Sequence, residues 1–230
     1  METPKLVLEA LESGLTVDHV IVPGDQHPDP DIAERCEADR VRIFGLEPDA
    51  FAKLSDARTP QAALAVVEAP VLDVDDRFPS GGNYLVLVDV ADPGNVGTLI
   101  RTAEASGCAG VIVTAQTADV LSPKVVRSSS GSMLRVPIGE VEADEVLDTL
   151  RTLNVLSVAT AMDAPRYREA EFDSASGVGL LLGNEAHGLD PALISAADLI
   201  VSIPMHGQVE SLNVATAGAV LAFGLFERST

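Results

Sequence analysis

The chain has 230 residues, 47% of them hydrophobic and only 3% aromatic, which allows one or two domains around a core of Val, Leu, Ile and Ala. No apolar run approaches the ~20 residues that span a bilayer, and Met1-Glu2-Thr3-Pro4-Lys5 lacks the basic-then-apolar order of a secretory leader. The formal net charge of −20 runs against a nucleic-acid partner, because phosphate contacts dominate such binding. Charge is uneven, however: residues 121–139 hold Lys124, Arg127 and Arg135 and no acid, whereas Glu140, Glu142, Asp144, Glu145 and Asp148 follow directly. Cys36 and Cys108 lack metal-site spacing and read as two reduced thiols, so a cytoplasmic chain without metal is expected.

Residues 1–70 read as a small α/β unit. Leu6, Val7, Leu8, Ala10 and Leu11 share a helical face that ends near Gly14. His19-Val20-Ile21-Val22, closed by Pro23-Gly24, predicts a strand, and Val41-Arg42-Ile43-Phe44 a second. Pro48 suits the first turn of a helix to about Leu54, and Ala62 to Val67 predicts a third strand. Residues 71–83, with Pro79, Ser80, Gly81 and Gly82 among several acids, read as a linker.

From residue 84 apolar runs alternate with helical patterns. Strands are predicted at 84–89, 110–114, 134–138, 154–160, 178–183 and 199–203. Helices are predicted at about 95–106, 122–131, 144–152, 190–196 and 211–227. Such alternation gives a parallel sheet covered on both faces, with ligands at the carboxyl ends of its strands.

Three of those ends carry polar, Gly-rich turns. Leu85-Val86-Leu87-Val88-Asp89 leads to Asp92-Pro93-Gly94-Asn95-Val96-Gly97-Thr98-Leu99-Ile100-Arg101. Leu181-Leu182-Gly183-Asn184-Glu185-Ala186-His187-Gly188-Leu189 is the second, and Ile203-Pro204-Met205-His206-Gly207-Gln208-Val209-Glu210-Ser211-Leu212-Asn213-Val214-Ala215 the third. Asn95 and Ser211 each have a plain reading as helix N-caps, and Gly97 permits close backbone approach. Glu185, bracketed by Gly183 and Gly188, can orient Asn95 or Arg101, or hydrogen-bond a substrate. A Rossmann dehydrogenase is disfavoured, because Asp92-Pro93-Gly94-Asn95-Val96-Gly97 lacks the Gly-x-Gly-x-x-Gly spacing.

In this order and spacing, over roughly residues 83–228, the three motifs resemble the SpoU (TrmH-like) family of RNA 2′-O-ribose methyltransferases of the SPOUT class. The resemblance implies a trefoil knot that threads the last helix, S-adenosylmethionine as cofactor, and a homodimer that completes the active site. It also implies a catalytic set of Asn95, Arg101, Glu185, Ser211 and Asn213, and cofactor contacts from Gly183, Ile203, Met205 and Leu212. A guanidinium stays protonated below about pH 12, so Arg101 reads better as a clamp for phosphate or developing alkoxide than as a base. The acid-free segment then supplies RNA contacts through Lys124, Arg127 and Arg135. Residues 1–70 resemble the ribosomal-protein-like RNA-binding domain found in front of many members, with Thr59-Pro60-Gln61-Ala62-Ala63-Leu64-Ala65-Val66 as its last strand and its opening strand missing. That pairing favours rRNA over tRNA as substrate. The competing expectation is a non-catalytic RNA-binding or ribosome-assembly protein on the same fold.

Overall fold

Proline sets where most helices begin. Six of the eight described α-helices open on it, at Pro4, Pro30, Pro48, Pro93, Pro123 and Pro191. Its missing N–H costs nothing in the first turn, and its fixed φ is already helical. Thr3, Asp29, Asp92 and Asp190 precede four of these prolines and cap the free amides of Leu6, Asp31, Asn95 and Ala192. The computed structural model describes residues 1–55, 61–69, 72–74, 77–162, 164–171, 177–209 and 211–227. The chain divides into two units, Met1–Pro70 and Val71–Thr230.

The first unit contains α1 (Pro4–Glu12), β1 (Val17–Pro23), α2 (Pro30–Asp39), β2 (Arg42–Leu46), α3 (Pro48–Leu54) and β3 (Leu64–Val67). Its sheet has the order β2-β1-β3, with β1 parallel to β2 and antiparallel to β3. Val7, Leu11, Val20, Val22, Ile32, Cys36, Ala63 and Ala65 form its core. Helix α2 was not predicted: Ile32 and Cys36 are its buried residues, too few for a clear amphipathic period. The opening strand expected to be missing survives as a bridge, since Glu2 pairs with Leu64 and the Thr3 amide donates to the Ala63 carbonyl at 3.2 Å. The third strand begins at Leu64 rather than Ala62, and Thr59 and Pro60 lie outside the described residues.

The second unit runs β4 (Tyr84–Leu87), α4 (Pro93–Ala105), β5 (Gly110–Thr114), α5 (Pro123–Ser129), β6 (Ile138–Val141), α6 (Val146–Thr152), β7 (Val155–Thr160), β8 (Gly177–Leu182), α7 (Pro191–Ala196), β9 (Leu199–Val201) and α8 (Val214–Phe226). Short 3-10 turns lie at Ser132–Leu134 and Tyr167–Glu169. All six strands are parallel, in the order β6-β5-β4-β8-β7-β9. The strand predicted at 134–138 forms at Ile138–Val141 instead. Gly131 at φ 86° and the 3-10 turn at Ser132–Leu134 delay it, and Pro137 has no amide to give to a ladder.

Tyr84, Val86, Ile112, Val155, Ala159 and Leu181 belong to a core shared with Val146 and Leu150 of α6. Gly179 is bare where Leu150 packs, since a Cβ there would lie 2.6 Å from its Cδ2. A second contact joins α4, β8 and α8: a Cβ on Gly218 would come within 2.4 Å of Leu99 and 2.7 Å of Leu182. Leu99, Ile100, Leu182 and Leu221 are fully buried, each contributing about 1.5–3 kcal/mol. The segment expected as a linker, 71–83, is packed over part of its length: Phe78 is buried in the core, and the Leu72 carbonyl accepts from the Glu140 amide at 2.7 Å. From β4 the chain winds outward through β5 and β6, then returns to the other side through β7, β8 and β9. The loops after β4 and β8 therefore part at a topological switch point, where open α/β sheets form a crevice.

Candidate active site

At that crevice the two loops are stitched together. Asp89, just beyond β4, has φ 57°, and its Oδ1 accepts from the Thr114 hydroxyl at 2.6 Å. Its carbonyl accepts from Asn184 Nδ2 at 2.9 Å, while Asn184 Oδ1 accepts from the amides of Ala186 and His187 at 2.9 and 3.3 Å. Gly183 is required by proximity: a Cβ there would lie 2.3 Å from the Gly188 carbonyl carbon. These contacts turn Glu185 back toward the start of α4.

Glu185 accepts three hydrogen bonds. They come from the Ala91 amide to Oε2 at 3.0 Å, the Asp92 amide to Oε1 at 3.1 Å and Asn95 Nδ2 to Oε1 at 2.7 Å. Partial burial pushes the carboxyl upward, but the bonds from Asn95, Ala91 and Asp92 together outweigh it and hold the group below its ordinary range. A carboxylate has no proton to give, so Asn95 presents its NH2 there and its oxygen away. That oxygen accepts from Asn213 Nδ2 at 2.9 Å. Asn213 Oδ1 in turn caps α8, accepting from the amides of Ala215 and Thr216 at 2.9 and 3.3 Å. One relay thus joins the ends of β4 and β8 to the start of α8, and it fixes the direction of both amides.

Two cap assignments change. Asn95 is not the cap of α4: Asp92 is, its Oδ1 accepting from the Asn95 amide at 3.0 Å. Ser211 does not cap α8, whose first residue is Val214 and whose cap is Asn213. The Ser211 side chain is exposed in the loop and makes no hydrogen bond with the described residues. Asp92 also receives Lys124 Nζ on Oδ2 at 3.1 Å, and that bond, with the Asn95 amide, keeps its carboxyl below the usual value. Asp92 and Asn184 escaped the sequence reading. An acid directly before Pro93 was the available signal for the first.

Arg101 stands apart from the relay. It is exposed on α4, one turn beyond Gly97, without an ion pair among the described residues. Gly97 itself is pressed on α5, where a Cβ would lie 2.0 Å from Ser128 Oγ. Of the basic segment, Lys124 is tied to Asp92, Arg135 is exposed but paired with Glu104, and Arg127 is half-buried. The three do not form one open patch.

The residues expected to contact the cofactor fall into two groups. Gly183 is buried at the end of β8, and Ile203 is half-buried just beyond β9. Met205 and Leu212 are apolar yet exposed, at 36% and 37%. Between them, no amide of Ile203 to Val209 donates to another described main-chain group. Amides without a main-chain acceptor beside apolar side chains form a donor set suited to an adenine ring and the aliphatic part of a methionine chain, so these residues fit S-adenosylmethionine. Among the described residues no group of three acids, His or Cys is placed to hold a metal ion, and no helix is long and apolar enough to cross a membrane.

Comparison with known proteins identifies the family. Residues 82–223 match the model of the SpoU rRNA Methylase family. The chain is 34% identical over 227 residues to the 23S rRNA (guanosine(2553)-2′-O)-methyltransferase RlmP of Bacillus subtilis, covering 98% of this chain and 87% of that protein. It is 35% identical over 222 residues to the 23S rRNA (uridine(2479)-2′-O)-methyltransferase of Streptomyces viridochromogenes, covering 93% and 77%. The crystal structure of the SpoU methyltransferase AviRb from Streptomyces viridochromogenes in complex with AdoMet superposes with a TM-score of 0.88 at 31% identity, covering 99% of this chain and 89% of that one. The AdoMet-bound rRNA methyltransferase from Sinorhizobium meliloti gives 0.84 at 29% identity, covering 97% and 85%. With its three motifs gathered at one switch point and matched across that span, the chain belongs to the SpoU rRNA methylase family.

Proposed function

We propose that the chain transfers a methyl group from S-adenosylmethionine to a ribose 2′-hydroxyl of rRNA. The observation that carries this reading is the Glu185–Asn95–Asn213 relay, which joins the three motifs at the crevice. S-adenosylmethionine supplies an electrophilic methyl on a sulfonium. The chain must then hold the ribose hydroxyl about 3 Å from that carbon and in line with it. Gly183, Ile203, Met205 and Leu212 hold the cofactor, through backbone groups and apolar contact. Asn95, fixed by Glu185 and Asn213, orients the ribose. Arg101, exposed and close enough to Glu104 to lower its carboxyl pKa, clamps the neighbouring phosphate and stabilises the oxygen as its proton passes to solvent water. Ser211, in the loop before α8, contacts the cofactor or ribose once both are bound.

The acid-free segment adds phosphate contacts through Lys124, Arg127 and Arg135, with Lys124 tied to the relay through Asp92. Residues 1–70 serve as an RNA-binding domain and residues 84–230 as the methyltransferase domain. Relatives named for 23S rRNA support rRNA over tRNA as the substrate, and a ribosomal substrate supports a cytoplasmic location. Two copies pair through the outer face of α8, where Val220 and Phe223 are exposed. The trefoil knot belongs with this reading, α8 being packed on both α4 and β8. The deciding experiment incubates the protein with methyl-labelled S-adenosylmethionine and unmodified 23S rRNA, then digests the product to nucleosides. Label in a 2′-O-methylnucleoside is the expected result. Label in a base, or none, refutes the assignment.

A further inference from the structure

One side of the first unit's sheet is covered by α1 and α2; the other is closed at Leu64, which is buried, and leaves an open face around Phe44 and Val66. Val20, Val22, Ile43 and Ala65 turn toward α1 and α2 and into the core. Alternation along each strand sends His19, Arg42, Phe44 and Val66 to the opposite side. The register pairs His19 with both Arg42 and Val66, and Ile21 with Phe44. Phe44 and Val66 are each 45% exposed. The Arg42 guanidinium carbon lies 5.4 Å from the centre of the Phe44 ring, and the His19 ring meets that ring edge-on, also at 5.4 Å. His19 is held in place by Asp18, 2.7 Å from its Nδ1. The chain has only six Phe and two Tyr, and among its described residues just Phe44 and Phe223 are exposed aromatics.

We propose that this open face is a stacking platform for an unpaired base of the RNA substrate. The proposal rests on the rRNA methylation reading above. Every nucleobase has a π face, and aromatic rings and guanidinium planes are the side chains on which splayed-out RNA bases stack. Arg42 beside Phe44 offers both, already assembled. The first unit carries more acid than base, so attraction to phosphate is a weak source of affinity there; contact through π surface does not need it. Two exposed apolar side chains are also far short of the ~1,000 Å² or more that a stable protein interface buries. A single base fits that scale.

The test uses the full chain, a 23S rRNA transcript and filter-retention binding over a salt series. Phe44→Leu keeps apolar bulk without a π face, and Phe44→Trp keeps the face; circular dichroism melts verify that both fold. The expected result is a loss of about 5- to 100-fold in affinity for Phe44→Leu, an unchanged salt slope, a raised KM for the transcript with kcat retained, and recovery in Phe44→Trp. Wild-type affinity in Phe44→Leu overturns the platform. So does a loss that comes with a shallower salt slope, or a change in sedimentation mass with RNA affinity intact, which would mark a face for a second copy. If wild type transfers no methyl to the transcript, the function reading fails; if it does and Phe44→Leu matches it in affinity and KM, only the platform fails.

Discussion

Replacing Glu185 by glutamine tests the relay at its anchor with almost no change in shape. The carboxylate satisfies three donors, two on Oε1 and one on Oε2. A glutamine amide has one acceptor oxygen, and its NH2 must then face at least one of those donors. If the oxygen takes the Oε1 position, the Ala91 bond is lost; if it takes Oε2, the bonds to Asp92 and Asn95 are lost. A hydrogen bond to a charged group contributes about 1.5–3 kcal/mol when shielded. Glu185 is exposed, so solvent screening brings the expected cost to about 1 kcal/mol. For a unit of this size that is a fall of roughly 2–4 °C in the Tm of its transition. The cost has a defined pH dependence. The folded-state pKa of Glu185 lies below the ordinary value of 4.5, so its contribution is complete above that value and is lost as pH falls through the folded pKa. Differential scanning calorimetry of both proteins at pH 7 and at stepwise lower pH should show the gap in Tm closing in the acid range. A gap that stays constant with pH, or no gap at neutral pH, refutes the reasoning.

Arg101→Ala should remove methyl transfer to 23S rRNA while S-adenosylmethionine affinity by calorimetry stays within about twofold; a cofactor loss beyond tenfold would place Arg101 against the cofactor. Gly97→Ala should destabilise the second unit by about 1–3 kcal/mol in urea unfolding. Adding Ser128→Ala should not restore it, because the Val125 carbonyl still lies 2.7 Å from the new Cβ. Phe223→Asp with Val220→Asp should convert a dimer to monomer in light scattering and reduce methyl transfer, and a dimer that persists would move the interface off α8.

Elements with a strong period or a proline start were legible in the chain itself. Tyr84 to Leu87 and Gly177 to Leu182 are buried throughout, and their apolar runs leave little choice but parallel strands. Pairings beyond the local segment were not legible. That Asn95 would spend its amide on Glu185, and that Asn213 would serve at once as cap and partner, depends on loops 90 and 118 residues apart in sequence. Local logic favoured Asn95 and Ser211 as caps because each is a good capping residue near a helix start. Asp92 and Asn213 hold those positions because they come directly before the first helical residue. Likewise, the acid-free run around Lys124 looked like an open basic patch, yet Asp92 and Glu104, which pair with Lys124 and Arg135, come from a different segment.

Asn213 also sets a timetable. Its partner Asn95 is made 118 residues earlier, and Leu99 and Leu182 wait for Gly218 of α8 to cover them. Because a nascent polypeptide emerges in order, the strands of the sheet are available before the helix that closes the crevice. A chain still being translated can therefore build its scaffold, but it cannot orient Asn95 from both sides.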